Sequence, residues 1–151
     1  RNVRLQDRKG PEAMSWLVDT SVWSLALRRD SGLQDHPETV ALKEALLGTD
    51  PVYTTGLILQ ELLQGFSGPK NRRELLKRFD PILSIAPDRS DHIEAADIRN
   101  ICRRHGVQIG TVDAVLIQLC RHHRLTLLTA DKDFLHAHQF VKFDLWQASQ
   151  H

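Results

Sequence analysis

The apolar positions along the chain switch repeatedly between short continuous runs and helical spacing. Trp16-Leu17-Val18 is a short run that ends in Asp19. Pro51-Val52-Tyr53-Thr54, Ile82-Leu83-Ser84-Ile85 and Leu125 to Thr129 have the length and apolar density of buried strands. From Leu57 to Phe66 the pattern changes: Leu59, Leu62, Leu63 and Phe66 lie at i, i+3, i+4 and i+7, one face of a helix that Gly65 and Gly68-Pro69 end. Further helices are predicted from Ser21 to Arg29, from Pro37 to Leu47 with Gly48 as its stop, and from Asn71 to Phe79. Ser90 is the expected cap of a helix to His105, and Thr111 the expected cap of one with the stripe Val112, Val115, Leu116, Leu119 and Cys120. A short helical turn follows Lys132, and Phe140 to Phe143 offers a last strand. Strands separated by helices predict an α/β domain in three layers, α/β/α, around a mainly parallel central sheet.

Residues 1–13 have no such period and read as a disordered extension outside the fold, ahead of a natural start at Met14; residues 14–151 read as one domain. With 151 residues, 41% hydrophobic and 26% charged, the chain is long enough for a real core and fits a globular class. No apolar run approaches the roughly 20 residues of a membrane span, and no basic-then-apolar signal segment opens the chain. The expectation is a cytoplasmic protein with no membrane partner. A net charge of +1 says nothing about a polyanionic ligand. Cys102 and Cys120 stand in apolar helical contexts and read as buried reduced thiols. His122-His123 and His136-x-His138 lack cysteine partners at zinc spacing and read as exposed histidines at helix ends.

Four acids change this picture. In open parallel sheets ligands bind at the carboxyl ends of strands, and Asp19 and Asp131 each follow an apolar strand directly. Glu61 and Asp113 lie in apolar helical neighbourhoods. Singly, each has a plain structural reading: a turn or helix cap for Asp19 and Asp131, a solvated surface acid for Glu61, a first-turn acid favoured by the helix dipole for Asp113. Gathered at one rim they would repel one another unless a cation sat among them. Hard divalent cations prefer oxygen ligands, and such a site suits phosphodiester hydrolysis. Spacing alone also admits a receiver-like phosphoacceptor module. That class wants paired acids after an early strand and a mid-sheet acceptor Asp, whereas Asp19 has no acidic neighbour and the mid-sheet strands end in Tyr53-Thr54 and Ile85-Ala86.

Leu17-Val18-Asp19-Thr20-Ser21 resembles the opening motif of PIN domains. Leu59-Gln60-Glu61-Leu62-Leu63-Gln64-Gly65 resembles their Glu-bearing helix, Gly110-Thr111-Val112-Asp113-Ala114-Val115 their third motif, and Thr129-Ala130-Asp131-Lys132-Asp133-Phe134 their Thr-x-Asp-x-Asp-Phe motif. The order and spacing match from about Met14 to Phe143, and the small size is similar to that of VapC-type toxins of VapBC toxin–antitoxin pairs. The resemblance implies a PIN-like α/β/α fold, Mg²⁺ or Mn²⁺ as cofactor, and endonucleolytic cutting of RNA. It makes Asp19, Glu61, Asp113 and Asp131 the catalytic metal-site acids. Thr20, Ser21 and Thr129 become hydroxyls that orient carboxylates or water, and Asp133 either joins the site or caps the short helix anchored by Phe134.

The resemblance also implies a homodimer and a cognate VapB-type antitoxin. Leu25, Leu27, Leu33, Val40, Leu46, Leu47 and Phe66 are candidates to line a groove for an amphipathic partner helix. RNA needs cationic contacts. Arg72 and Arg73, with Lys70, Lys77 and Arg78, supply one candidate face; Arg103 and Arg104, with Arg121, supply another. The rival readings are a housekeeping or structure-specific PIN/5′-nuclease-like enzyme, and a receiver-like or inert binding module.

Overall fold

The computed structural model describes residues 14–28 and 36–149. The expected extension at 1–13, the end of the first predicted helix at Arg29, and Leu33 lie outside the described residues. The elements in order are β1 (Trp16–Val18), α1 (Thr20–Leu27), α2 (Pro37–Leu47), β2 (Val52–Thr54), α3 (Gly56–Gly65), α4 (Pro69–Phe79), β3 (Leu83–Ser84), α5 (Arg89–Arg104), α6 (Thr111–His123), β4 (Thr126–Leu128), α7 (Lys132–His138) and β5 (Asp144–Leu145).

The five strands form one sheet in the order β3-β2-β1-β4-β5, and every neighbouring pair is parallel. β1 sits in the middle, as its wholly apolar Trp16-Leu17-Val18 requires: all three residues are buried. Leu17 pairs with Leu127 and Val18 with Leu128, so the carboxyl ends of β1 and β4 lie side by side. The Asp19 backbone N–H continues the ladder by donating to the Leu128 carbonyl at 2.9 Å. The first and fourth strands of the chain thereby deliver their following loops to one rim.

Helices α5 and α6 form an antiparallel hairpin. At one end the Arg99 guanidinium Nε donates to the Ile109 carbonyl at 2.9 Å. At the other, Asp91 of α5 meets Gln118 and His122 of α6. Residues Ala114 to Cys120 of α6 are all buried, so this helix is enclosed on every side rather than along the single stripe its spacing predicted. Both cysteines are free and buried, as expected, and burial pushes the Cys120 thiol up. Among the described residues no helix is long and apolar enough to cross a membrane.

Three boundaries differ from the sequence-based expectation. The cap of α5 is Asp88 and not Ser90. The Asp88 side chain accepts the Asp91 N–H at 2.9 Å and Asp91 returns the bond to the Asp88 N–H at 3.0 Å; this reciprocal box satisfies two orphan donors where a serine would satisfy one. The cap of α6 is Gly110, with Thr111 already helical, because Asp113 folds back onto the Gly110 N–H. The last strand is Asp144–Leu145 and not 140–143. The Phe140 and Val141 N–H groups both bond the Ala137 carbonyl, ending α7, so Val141 and Phe143 are buried as loop anchors without a ladder.

Candidate active site

Asp19 follows β1 as the N-cap residue of α1 and is only 6% exposed. Two hydroxyls converge on its Oδ2: Ser21 Oγ donates at 2.7 Å and Thr129 Oγ1 at 2.8 Å. Each hydroxyl in turn accepts a backbone N–H from the loop after β4, Ser21 from Ala130 at 3.0 Å and Thr129 from Asp131 at 3.0 Å. A hydroxyl has one hydrogen. With both spent on Asp19, the 3.3 Å approach of Ser21 Oγ to Thr129 Oγ1 is contact and not a bond. Burial raises the Asp19 pKa. The Ser21 and Thr129 hydroxyls, and the Ser21 and Thr20 backbone amides, oppose it. Those amides lean on the carboxylate without reaching the geometry of a capping hydrogen bond.

The other acids arrive from three further elements. Glu61, exposed on α3, is fixed by the Thr20 hydroxyl, which donates to its Oε1 at 2.9 Å across 41 residues of sequence. Asp131 caps α7 by accepting the Asp133 N–H at 2.9 Å. Asp113, in the first turn of α6, accepts the Gly110 N–H on Oδ2 at 3.1 Å. Gly110 matters here for its missing side chain: a Cβ would stand 3.3 Å from that same oxygen.

The Asp113 carboxyl is pushed up to about 6. Burial is the largest cause. The Gly110 N–H opposes it, and the charges of Asp19, Asp131 and Glu61 add to it. One carboxylate thus feels all three others, and the four acids named from sequence share one electrostatic neighbourhood. Among the described residues no three of these acids bring ligand oxygens all within 4.8 Å of one another, as Asp91, His122 and His123 do with their ligand atoms. That spread fits a hydrated Mg²⁺ or Mn²⁺, which takes only one or two carboxylates directly and reaches the rest through water.

The remaining candidates divide. Thr20, Ser21 and Thr129 are all in the web. Asp133 is exposed in the first turn of α7, whose cap is Asp131, so the capping role foreseen for Asp133 falls to Asp131. Arg103 and Arg104 are exposed at the end of α5, the end of the hairpin where α6 begins with Asp113. Arg72 and Arg73 lie on the exposed face of α4 with Lys70, Lys77 and Arg78, and no hydrogen bond or ion pair described here ties that face to the acids. A groove of about 540 Å³ lies elsewhere: Trp16, Val40, Ala41, Glu44 and Trp146 line it, beside α2. Sequence reasoning assigned no role to Gly110; its signal is a glycine three residues before an acid at a helix start.

A five-stranded parallel sheet with carboxylates gathered beyond the carboxyl ends of its two central adjacent strands defines an α/β domain with an acid-lined binding rim. The chain belongs to the PIN domain family, whose model matches residues 16–138. Among solved structures it is similar to FitAcB from Neisseria gonorrhoeae, at 25% identity and a TM-score of 0.64 over 87% of this chain and 96% of that one. It shares its fold with VapBC2 from Rickettsia felis bound to a promoter DNA fragment, at 16% identity and a TM-score of 0.70 over 89% and 100% of the two chains. It also shares it with VapC20 from Mycobacterium tuberculosis, described as a sarcin–ricin-loop-cleaving toxin, at 21% identity and a TM-score of 0.60 over 84% and 97%. No curated protein matches the chain in sequence.

Proposed function

We propose that this chain is a divalent-cation-dependent endoribonuclease that acts as the toxin of a toxin–antitoxin pair. The observation that carries the reading is the state of Asp113: its carboxyl is raised to about 6 by burial and by Asp19, Asp131 and Glu61. An assembly of anions that penalises itself in this way is explained by a cation that relieves it.

Asp19, Glu61, Asp113 and Asp131 would hold Mg²⁺ or Mn²⁺. Once bound, the cation supplies charge for the scissile phosphate and lowers the pKa of water. The chain's own residues do the positioning. Ser21 and Thr129 pin Asp19 Oδ2, which fixes the carboxylate's rotation. Thr20 holds Glu61, whose exposed side chain would otherwise roam. Gly110 holds Asp113 through its backbone N–H. Arg103 and Arg104 would hold RNA phosphates at the acid-bearing end of the hairpin, and Arg72 and Arg73 of α4 would extend that track. No serine, cysteine or histidine nucleophile is required.

The toxin role rests on the toxin and toxin–antitoxin structures that share the fold, and so does self-pairing. Val40, Leu46 and Leu47, 40%, 44% and 79% exposed along α2, support docking of an antitoxin's apolar helix there. Leu27 and Phe66 instead pack against the core.

The test is cleavage of end-labelled RNA by purified protein with Mg²⁺ and then with EDTA. We expect activity only with the cation, and a loss of roughly 10³-fold in Asp19→Asn and in Asp113→Asn, as for removal of a preorganised charged group. Near-normal cleavage by either folded variant would refute the assignment. Expression without its partner should arrest growth, and co-expression of the neighbouring upstream gene should relieve the arrest. Harmless expression of an active protein would make it a housekeeping nuclease.

A further inference from the structure

We propose that Asp91, His122 and His123 form a second metal site, selective for a borderline transition cation such as Zn²⁺, at the end of α6 remote from Asp113. Nine residues of helix separate Asp113 from His122, roughly 14 Å of rise. The two sites are therefore distinct, and this one does not depend on the proposed nuclease activity.

Asp91 is 1% exposed and its carboxylate is fully engaged. Asp88 N donates to Oδ2 at 3.0 Å, and Oδ1 meets Gln118 Nε2 at 3.2 Å and His122 Nδ1 at 2.8 Å. A plain clasp between α5 and α6 would need His122 only. Consecutive helical residues point about 100° apart, yet the His123 ring lies against that of His122, with centroids 4.2 Å apart and planes 23° from parallel. The stack brings a third donor into range: one ligand atom each from Asp91, His122 and His123 all lie within 4.8 Å of one another.

Two imidazole nitrogens and a carboxylate oxygen, open to water through the exposed histidines, are a donor set for Zn²⁺, Co²⁺, Ni²⁺ or Cu²⁺. Mg²⁺ prefers oxygen alone. Ligand atoms about a tetrahedral ion with bonds of about 2.0 Å stand about 3.3 Å apart. The 2.8 Å between Asp91 Oδ1 and His122 Nδ1 need open by only a few tenths of an ångström. The cation takes the place of the hydrogen between those two atoms, and a neutral His122 then carries its one proton on Nε2, facing water. The site lies at the carboxyl end of α6, where the helix dipole favours positive charge. Filling it would tie the start of α5 to the end of α6.

The test uses the full, untagged chain stripped with EDTA and held in excess Mg²⁺. Zn²⁺ is titrated by calorimetry, Co²⁺ by its visible spectrum, and melting temperature is followed with each. We expect one Zn²⁺ per chain, a rise in melting temperature, and a Co²⁺ spectrum of a low-coordinate nitrogen-containing site. All three should persist in the Asp19→Asn/Asp113→Asn double variant. His123→Ala, a surface change that leaves the Asp91–His122 clasp in place, should weaken Zn²⁺ binding roughly 10- to 100-fold. His122→Ala should do the same, but it also breaks the clasp, so His123→Ala decides. The proposal fails if wild type takes up no Zn²⁺ in Mg²⁺, if His123→Ala titrates like wild type, or if the double variant loses the ion.

Discussion

Asp91 and Asp113 occupy the same local position. Each is the third residue of a helix, and each accepts the backbone N–H of the residue that caps it, Asp88 at 3.0 Å and Gly110 at 3.1 Å. Burial pushes both carboxyls up. Yet the Asp91 pKa ends below its ordinary 3.8 and the Asp113 pKa at about 6. The difference lies in what the fold brings from afar. Around Asp91 the Asp88 amide, Gln118 and His122 outweigh burial. Around Asp113 three further carboxylates add to it. The same capping device serves a structural clasp at one end of the α5–α6 hairpin and a charge-strained rim at the other.

Three changes would break or sharpen this contrast. The largest effect is expected for Asp91→Asn, which weakens charge-assisted bonds from a buried group to α5 and α6 together. It should cost about 2–3 kcal/mol in denaturant unfolding at neutral pH. A loss below about 0.5 kcal/mol would mean that the clasp contributes nothing measurable.

Asp113→Asn should act with the opposite sign in EDTA. A carboxyl raised in the folded state holds a proton that the unfolded chain has already released between 3.8 and about 6. Stability therefore falls as pH rises through that window, and the cost stays in place above it. Removing the charge should gain about 1 kcal/mol at pH 7, well under the full conversion of 1.36 kcal/mol per pKa unit because the half-exposed group is screened by solvent. Asp91 follows the other rule: its stabilisation is present above 3.8 and is lost as pH falls through its lowered folded pKa. The metal-free protein should thus gain stability from pH 7 to about pH 5 and lose it again below about pH 4. Asn at 113 should leave the lower limb and shrink the upper one, to which the raised Asp19 carboxyl also contributes. Added Mg²⁺ should flatten it in wild type.

The smallest effect is expected for Gly110→Ala. The new Cβ meets Asp113 Oδ2 at 3.3 Å, so the carboxylate must move by a few tenths of an ångström. Cap loss should cost about 0.5–1 kcal/mol. The displacement should lower cleavage roughly three- to tenfold with little change in RNA affinity. Unchanged turnover would show that the Asp113 position is not tightly set.

What could be read from the chain followed the range of the interactions involved. Asp19 and Asp131 were legible because an acid directly or within three residues after an apolar strand reports its place at the sheet rim by local pattern alone. Glu61 has only a weak local sign, an acid in an apolar helical stretch, since it is exposed on α3 and the Thr20 hydroxyl that holds it is 41 residues away; the family resemblance gave it its role. Asp91 passed unnoticed. Its partners Gln118 and His122 lie 27 and 31 residues ahead, and the adjacent histidines looked like an ordinary helix end until the hairpin closed. The last strand was misplaced because buried apolar residues announce burial and not pairing: Val141 and Phe143 are core residues in a loop.

The central pairing of β1 with β4 has a temporal meaning. A ribosome makes Asp19 before Thr129, whose hydroxyl completes its setting and follows 110 residues later. Until β4 has emerged and docked, Asp19 has no neighbour at the rim from the far loop, and Asp131 does not yet exist there. The rim therefore stays incomplete until synthesis has passed Thr129 and Asp131, however early Asp19 is made.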